Sequence, residues 1–512
     1  MSISFPPCLL YWCIVNRMLG DSVEEFEKRK VLIAGVTLLV AIAVAFAPPP
    51  EGLTPEAMKM LGVVILALVY WATECVPIPV TGLVIITLLA LWGLTPQVQV
   101  SYGATLRPRS PLEVAVSYIA ADVNILILAG LVIAVGLSKH SVDRYLALKL
   151  LRAMGEHSDR IVLGVMLSVA AISMWIPNTA AAAIMVPVAV GMLNLIGARK
   201  GESNLGKAMM IGVAYAASIG GIGTPVGTPP VPITISNVKR ETGIDIGFAT
   251  WMTWGVPLSL VLVFVAWFIL TRLFKPEVEV ITGGKEIVEK ELAKIGGLVG
   301  ERRKALMLFL VAVALWLMDP IMKDYVRGWT YFVSLVIIVL FLAPGIGVLS
   351  WRDASREVDW GTLFLVAGGL ALGDGLRVSG LVDVISKGVA TQLSGLNPIL
   401  VLSIVGLISS LAITVFCSIT ATSSAMVPVS IGIAKALGLH PAIAAITSGV
   451  ASCFAFLLPA NTPPNAIAYS YGYFKSYEMA KAGIILIVVS VLIALPFALL
   501  LAPAVLGVGL VS

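Results

Sequence analysis

Ile219-Gly220-Gly221-Ile222-Gly223-Thr224-Pro225-Val226-Gly227-Thr228-Pro229-Pro230 interrupts an otherwise apolar stretch of the chain. No intact helix holds so many glycines and prolines, because Gly weakens a helix interior and Pro removes a donor and clashes with the preceding turn. A second interruption, Leu458-Pro459-Ala460-Asn461-Thr462-Pro463-Pro464-Asn465, repeats the plan. Each is preceded by a pair of apolar runs split at a polar tip. The first pair, 161–196, divides at Trp175-Ile176-Pro177-Asn178-Thr179, and the second, 400–433, divides near Phe416-Cys417-Ser418-Ile419-Thr420. Further out, Ala129-Gly130-Leu131 answers to Ala367-Gly368-Gly369, and Ser141-Val142-Asp143 to Leu381-Val382-Asp383. The parts come in the same order in both halves.

Composition says where these breaks sit. The 512 residues are 59% hydrophobic and 12% charged, about half the charged fraction, roughly 25%, of a soluble domain. Apolar runs of about 20 residues, the length that crosses a hydrocarbon core of about 30 Å, recur from 31 to 511 with one long polar interruption. They are too long and too uniformly apolar for barrel strands, which alternate with period two. Helices are the remaining way to pair the backbone in lipid. The first crossings are expected at 31–46, 56–72, 79–94 and 121–137. Lys28, Arg29 and Lys30 favour a cytoplasmic N-terminus, which puts the C-terminus outside. Residues 139–160 read as an interface helix, with Leu146, Ala147, Leu150, Leu151 and Met154 on one side and Arg144, Lys149 and Arg152 on the other. The basic residues cluster at helix ends, where they set orientation, so the net charge of +5 does not point to nucleic acid. Cys8, Cys13, Cys75, Cys417 and Cys453 have no metal-ligand spacing.

The organisation expected is a tail (1–30), a first half (31–274) with a hairpin at 161–197 and a broken helix at 207–235, a cytoplasmic linker (275–304), and a second half (305–512) with a hairpin at 397–437 and a broken helix at 441–472. Residues 1–27 make a poor signal peptide and read as an uncleaved tail. The fold class is an all-α polytopic membrane protein. An odd number of crossings in each half makes the repeats inverted, each with a re-entrant hairpin and a broken helix, the plan of many secondary transporters.

The breaks also define the chemistry. Unpaired N–H groups at a helix N-terminus suit an anion, and freed carbonyls with neutral Asn, Ser and Thr oxygens suit a hard cation such as Na⁺. The residues in position are Ser173, Asn178, Thr179, Gly227 and Thr228 in the first half, and Thr414, Ser418, Thr420, Asn461, Thr462 and Asn465 in the second. Gly and Pro are common in membrane helices, which accounts for one such break but not for four in matching order. Glu74 and Asp374 lie near helix ends and are expected to pair or reach water rather than relay protons. His140, His157 and His440 lie outside the breaks. No paired base, metal cluster or nucleophile set sits at membrane depth, which argues against an intramembrane enzyme.

Ala214-Tyr215-Ala216-Ala217-Ser218-Ile219-Gly220-Gly221 with Gly227-Thr228-Pro229-Pro230, and Phe454 to Pro459 with Thr462-Pro463-Pro464-Asn465-Ala466-Ile467, resemble the divalent anion:sodium symporter family, part of the ion transporter superfamily. Thr73-Glu74 with Pro77-Ile78-Pro79-Val80-Thr81-Gly82 fits as well. The resemblance implies a plasma-membrane homodimer of elevator type, held in lipid, that carries di- or tricarboxylates or sulfate with Na⁺ as the coupled ion. It assigns the substrate to Asn178, Thr179, Thr228, Ser418, Thr420, Thr462 and Pro463. It assigns Na⁺ to Ser173, Asn178 and Gly227 in the first half and to Thr414, Cys417 and Asn461 in the second.

Three positions depart from the family pattern. Pro177 replaces the Ser of the first Ser-Asn-Thr tip, Ile419 replaces the Asn of the second, and Val231 stands where an Asn often follows the first loop. Ile419 cannot hold Na⁺ or donate to a carboxylate, while Asn461 stands where a small residue is usual. Either the Asn461 amide compensates, or the site has drifted to another substrate or coupling ion. An anion exchanger, or a carrier for another solute such as an arsenite or proton antiporter, is the alternative.

Overall fold

A computed structural model describes residues 23–102 and 105–506. The tail reading for residues 1–22, with Cys8 and Cys13, lies outside the described residues. Almost all of the described chain is helix, and among the described residues seven helices are long and apolar enough to cross a membrane. The exception is a short antiparallel ribbon, Gln99–Tyr102 against Thr105–Pro108, between the crossings expected at 79–94 and 121–137.

Val23–Ala45, Pro55–Thr73, Ile78–Trp92, Trp360–Val378, Asp122–Lys139 and Trp329–Leu342 pack in series, each on the next, and Trp360–Val378 also packs on Ile419–Ala436. The closest approach in the series is between Ile78–Trp92 and Trp360–Val378, where a Cβ on Gly368 would lie 2.4 Å from the Gly82 Cα. Without a hydrophobic drive between helices in lipid, small residues that let backbones touch supply the association.

Both pairs of split runs and both breaks lie in the helices that pack around Asn204–Gly221 and Pro441–Ala451. Helices Ser158–Ser173 and Asn178–Leu195 form the first hairpin and pack on Asn204–Gly221. At 16 residues Ser158–Ser173 is about 24 Å long, short of the roughly 30 Å of a hydrocarbon core, whereas Asn178–Leu195, with 18 residues, is one of the seven long and apolar enough to cross. Pro398–Phe416 and Ile419–Ala436 form the second hairpin and pack on Pro441–Ala451. The first break separates Asn204–Gly221 from Pro230–Thr242, and the second separates Pro441–Ala451 from Pro463–Ser470.

The halves correspond outside the breaks too. Asp122–Lys139 leads into Val142–Arg152 through Ser141 at φ 52°, and Trp360–Val378 leads into Leu381–Leu393 through Gly380 at φ 74°. Both turns need a left-handed residue, and the first half uses a non-glycine there.

Two expectations are adjusted. The buried side of Val142–Arg152 carries Ala147, Leu148 and Leu151, whereas Leu146 is exposed. The segment expected as a linker is docked. Its helix Gly284–Ile295 packs on Val142–Arg152, with Arg144 paired to Glu291 and Arg152 to Glu289, and the Ser158 N–H donates to the Glu279 carbonyl at 2.9 Å. Asp374 is paired as expected, accepting from the Tyr118 hydroxyl and the Arg240 guanidinium, each at 2.6 Å.

Candidate ion and anion site

The two tips and the two broken-helix loops meet at one cavity of ≈ 510 Å³. Asn178 and Thr179 line it from the first tip, Gly227 and Thr228 from the first loop. Cys417, Ser418, Ile419 and Thr420 line it from the second tip, and Asn461, Thr462 and Pro463 from the second loop. Every position expected to touch substrate is therefore in one place. Of the positions expected to hold Na⁺, Asn178, Gly227, Cys417 and Asn461 are on the wall, while Ser173 and Thr414 are not.

Ser173 stands directly behind the first tip. Its hydroxyl oxygen is 2.7 Å from Asn178 Oδ1 and 2.7 Å from the Ala217 carbonyl, and it is fully buried. A serine has one proton to give, so one of these contacts brings two oxygens together without a hydrogen between them. Gly227 is needed for the approach around them. A Cβ there would lie 2.6 Å from the Gly221 carbonyl oxygen and 2.8 Å from that of Ser173. The backbone at Gly221 is bare for the same reason, since a Cβ would meet Asn178 Oδ1 at 2.6 Å. Neutral oxygens crowded in this way are the donor set that a hard cation prefers.

The first loop is held open from outside. Trp251 Nε1 donates to the Ile222 carbonyl and Ser259 Oγ to the Ile219 carbonyl, both at 2.9 Å and both from helix Phe248–Leu273, while Thr224 donates to the Met174 carbonyl. The Ile222 carbonyl thereby finds a partner past the end of Asn204–Gly221, the Ile219 carbonyl also accepts from the Ile222 N–H at 3.2 Å, and the Met174 carbonyl ties the loop to the first tip.

The second side has a different build. Asn461 is 1% exposed and engaged at both ends, its Oδ1 accepting from the Leu458 N–H at 2.8 Å and its Nδ2 donating to the Ile413 carbonyl at 3.3 Å. Asn465 Nδ2 reaches the Ala455 carbonyl at 2.7 Å and the Leu458 carbonyl at 3.0 Å. The second loop thus ties itself with its own asparagines, where the first has Gly227 and Val231. Thr414 donates back to the Leu411 carbonyl and is not brought to the cavity. Its neighbour one turn earlier does what Ser173 does: Ser410 Oγ is 3.0 Å from the Ala451 carbonyl. Ser418 Oγ caps its helix by accepting from the Ala421 N–H at 3.3 Å.

One feature is shared. The hydroxyls of Thr228 and Thr462, at matching places in the two loops, are buried to 2% and 3% exposure and have no protein partner. A buried hydroxyl normally finds a partner, so both are set to meet something in the cavity.

A family model described as the sodium:sulfate symporter transmembrane region matches residues 28–507. The chain belongs to that family. Among curated members of the symporter family, the sodium-dependent dicarboxylate transporter SdcS of Staphylococcus saprophyticus is 29% identical over 93% of this chain and 92% of its own length. SdcS of Staphylococcus aureus is 28% identical over 94% and 92%. Solved structures with the same fold include Neisseria gonorrhoeae MtrF, an antimetabolite efflux pump (TM-score 0.51, 14% identity, covering 90% of this chain and 97% of that one). Alcanivorax borkumensis YdaH, a transporter, is similar (TM-score 0.50, 13% identity, 89% and 100%). As a member of a symporter family the chain is a membrane transporter and not an enzyme.

Several site residues escape sequence reasoning. Glu74 and Asp359 both line the cavity. Glu74 ends helix Pro55–Thr73 in a left-handed conformation, φ 47°, and Cys417 across the cavity is left-handed too, at φ 49°. The Thr73-Glu74 motif was the available signal for the first. Ser410 and the Ala217 and Ala451 carbonyls carry no signal, because a one-turn shift between halves is invisible without coordinates.

Proposed function

We propose that this chain is a secondary active transporter that moves small anions of the di- or tricarboxylate or sulfate class together with Na⁺. The supporting observation is the convergence of both tips and both loops on one cavity, with the Ser173–Asn178–Ala217 oxygens on one flank and the unpaired Thr228 and Thr462 hydroxyls facing in. Na⁺ is assigned to Ser173, Asn178 and Gly227, with the Ala217 carbonyl added. The anion is assigned to Asn178, Thr179 and Thr228 on the first side and to Thr420 and Thr462 on the second. Helix Asn178–Leu195 starts without a side-chain cap, so its first-turn N–H groups are donors for a carboxylate.

Asn178 connects the two ligands. With its oxygen on the cation and its NH₂ toward the anion, one side chain makes each ligand favour the other, which is coupling in the thermodynamic sense. The sodium-dependent relatives support Na⁺ symport over exchange or proton antiport. The finer expectations from the family resemblance follow: a homodimer in the plasma membrane, cytoplasmic N-terminus and outer C-terminus, with the hairpin-bearing helices carrying the site past the others.

Uptake of labelled succinate, citrate or sulfate into proteoliposomes tests this. Accumulation under an inward Na⁺ gradient, and not under K⁺, is expected. Equal uptake with either cation would remove the coupling, and no uptake of any of the three would remove the function.

A further inference from the structure

We infer that the amides of Asn461 and Asn465 stand where the repeat would place a second cation, so that each chain couples a single Na⁺ to its anion. The inference rests on the Na⁺-coupled anion reading and names its stoichiometry.

The repeat supplies the register. Thr228 and Thr462 correspond in the loops, and Ser173 and Thr414 each stand five residues before the tip position, Asn178 or Ile419. On the first side the oxygens that gather are Ser173 Oγ, Asn178 Oδ1 and the Ala217 and Gly221 carbonyls. The Gly221 carbonyl has no helical donor, since the residue four further on is Pro225, and no other donor among the described residues reaches it.

On the second side the Ala451 carbonyl, in place of that of Ala217, keeps a serine neighbour, Ser410 Oγ at 3.0 Å. The other counterparts are withdrawn. Thr414 donates back to the Leu411 carbonyl, and Ile419 has no side-chain oxygen. The Ala455 carbonyl, left without a helical donor by Pro459 as that of Gly221 is by Pro225, accepts from Asn465 Nδ2 at 2.7 Å. In the first half Val231 stands at the position of Asn465 and has nothing to donate.

Asn461 fills the remaining space. Its counterpart Gly227 is bare, and a Cβ there would meet the Gly221 and Ser173 carbonyl oxygens at 2.6 and 2.8 Å. From the same position in the second loop Asn461 carries a whole amide, 1% exposed. Its Nδ2 reaches the Ile413 carbonyl at 3.3 Å, beside the Cys417 N–H at 2.8 Å. A carbonyl oxygen has two lone pairs, and here both are taken. A Na⁺ brought to this side would face amide hydrogens in place of free oxygens. The anion keeps its contacts here: Thr420 on the wall, the first turn of Ile419–Ala436, and the unpartnered Thr462 hydroxyl. A doubly charged anion can therefore still span both tips.

The test counts ions, by equilibrium binding of radioactive sodium to the purified full-length protein at constant ionic strength. Saturation at about one Na⁺ per chain along a one-site curve is expected, with that binding lost in Asn178→Ala. Ile419→Asn combined with Asn461→Gly, which copies the first-side residues onto the second, is expected to raise the count toward two. Should that variant not fold by thermal unfolding, the natural count and its loss in Asn178→Ala decide the matter. Saturation at two Na⁺ in the natural protein, binding that survives Asn178→Ala, or an unchanged count in the folded double variant overturns the inference and leaves Na⁺ coupling intact. No Na⁺ binding at all overturns both.

Discussion

At the first tip an asparagine on the cavity wall turns its amide oxygen toward Ser173, and the facing loop is bare backbone at Gly227. At the second tip the matching position is Ile419, and the amide belongs instead to Asn461 of the facing loop, where it is bonded to Leu458 and Ile413. The two sides have exchanged which element carries the asparagine. The exchange changes its partners: the tip amide takes the Ser173 hydroxyl, while the loop amide takes the Leu458 N–H and the Ile413 carbonyl, backbone groups near the break. A repeat architecture can therefore keep both breaks while placing the asparagine on different elements.

Substitutions that separate the two sides bear on the comparison. Asn178→Ala has the largest expected effect, a loss of about 100-fold or more in Na⁺-driven uptake, since it removes a cation oxygen and an anion donor together; uptake within a few-fold of the natural protein would dissolve the distinction between the sides. Gly227→Ala places a methyl 2.6 Å from the Gly221 oxygen and 2.8 Å from the Ser173 oxygen. Overpacking of this kind destabilises by about 1–3 kcal/mol, and thermal unfolding is expected to show it together with a weakened Na⁺ response.

Asn461→Ala removes two buried hydrogen bonds and is expected to destabilise by about 2–3 kcal/mol while Na⁺ dependence of uptake persists. Loss of Na⁺ dependence at unchanged stability would instead make Asn461 a ligand. The mildest pair is Thr228→Val and Thr462→Val. Neither hydroxyl has a protein partner, so melting temperatures should hold or rise slightly. Apparent substrate affinity should fall about 10-fold for each, and a fall in stability without a change in affinity would show that the hydroxyls face protein.

Much of this was legible in the residues themselves. Gly and Pro counts at 219–230 and 458–465 forced the breaks, and the Asn, Ser and Thr at the tips and loops named the polar residues on which the two halves meet. Ile419 could be seen as a lost donor. Whether Asn461 replaces it could not, because the answer turns on Leu458 and Ile413, backbone partners brought near only by the folded loop. Thr414 is the oxygen expected to hold Na⁺ in the second half, yet Ser410, one turn earlier, reaches the Ala451 carbonyl as Ser173 reaches that of Ala217. Helix geometry makes the two positions look equivalent in sequence. Glu74 was visible as a charge at a helix end, but its left-handed backbone and its place in the cavity wall arise from tertiary packing.

The claim on which the account depends most is that Na⁺ belongs to the first side. Thermal unfolding of the natural protein, Asn178→Ala and Asn461→Ala across a Na⁺ titration at constant ionic strength measures this directly, since an ion that binds the folded state raises its stability. The account predicts that the natural protein and Asn461→Ala are both stabilised by Na⁺ over K⁺, the latter from a lower starting temperature, and that Asn178→Ala is not. Stabilisation of Asn178→Ala by Na⁺, with the response lost in Asn461→Ala, would contradict it.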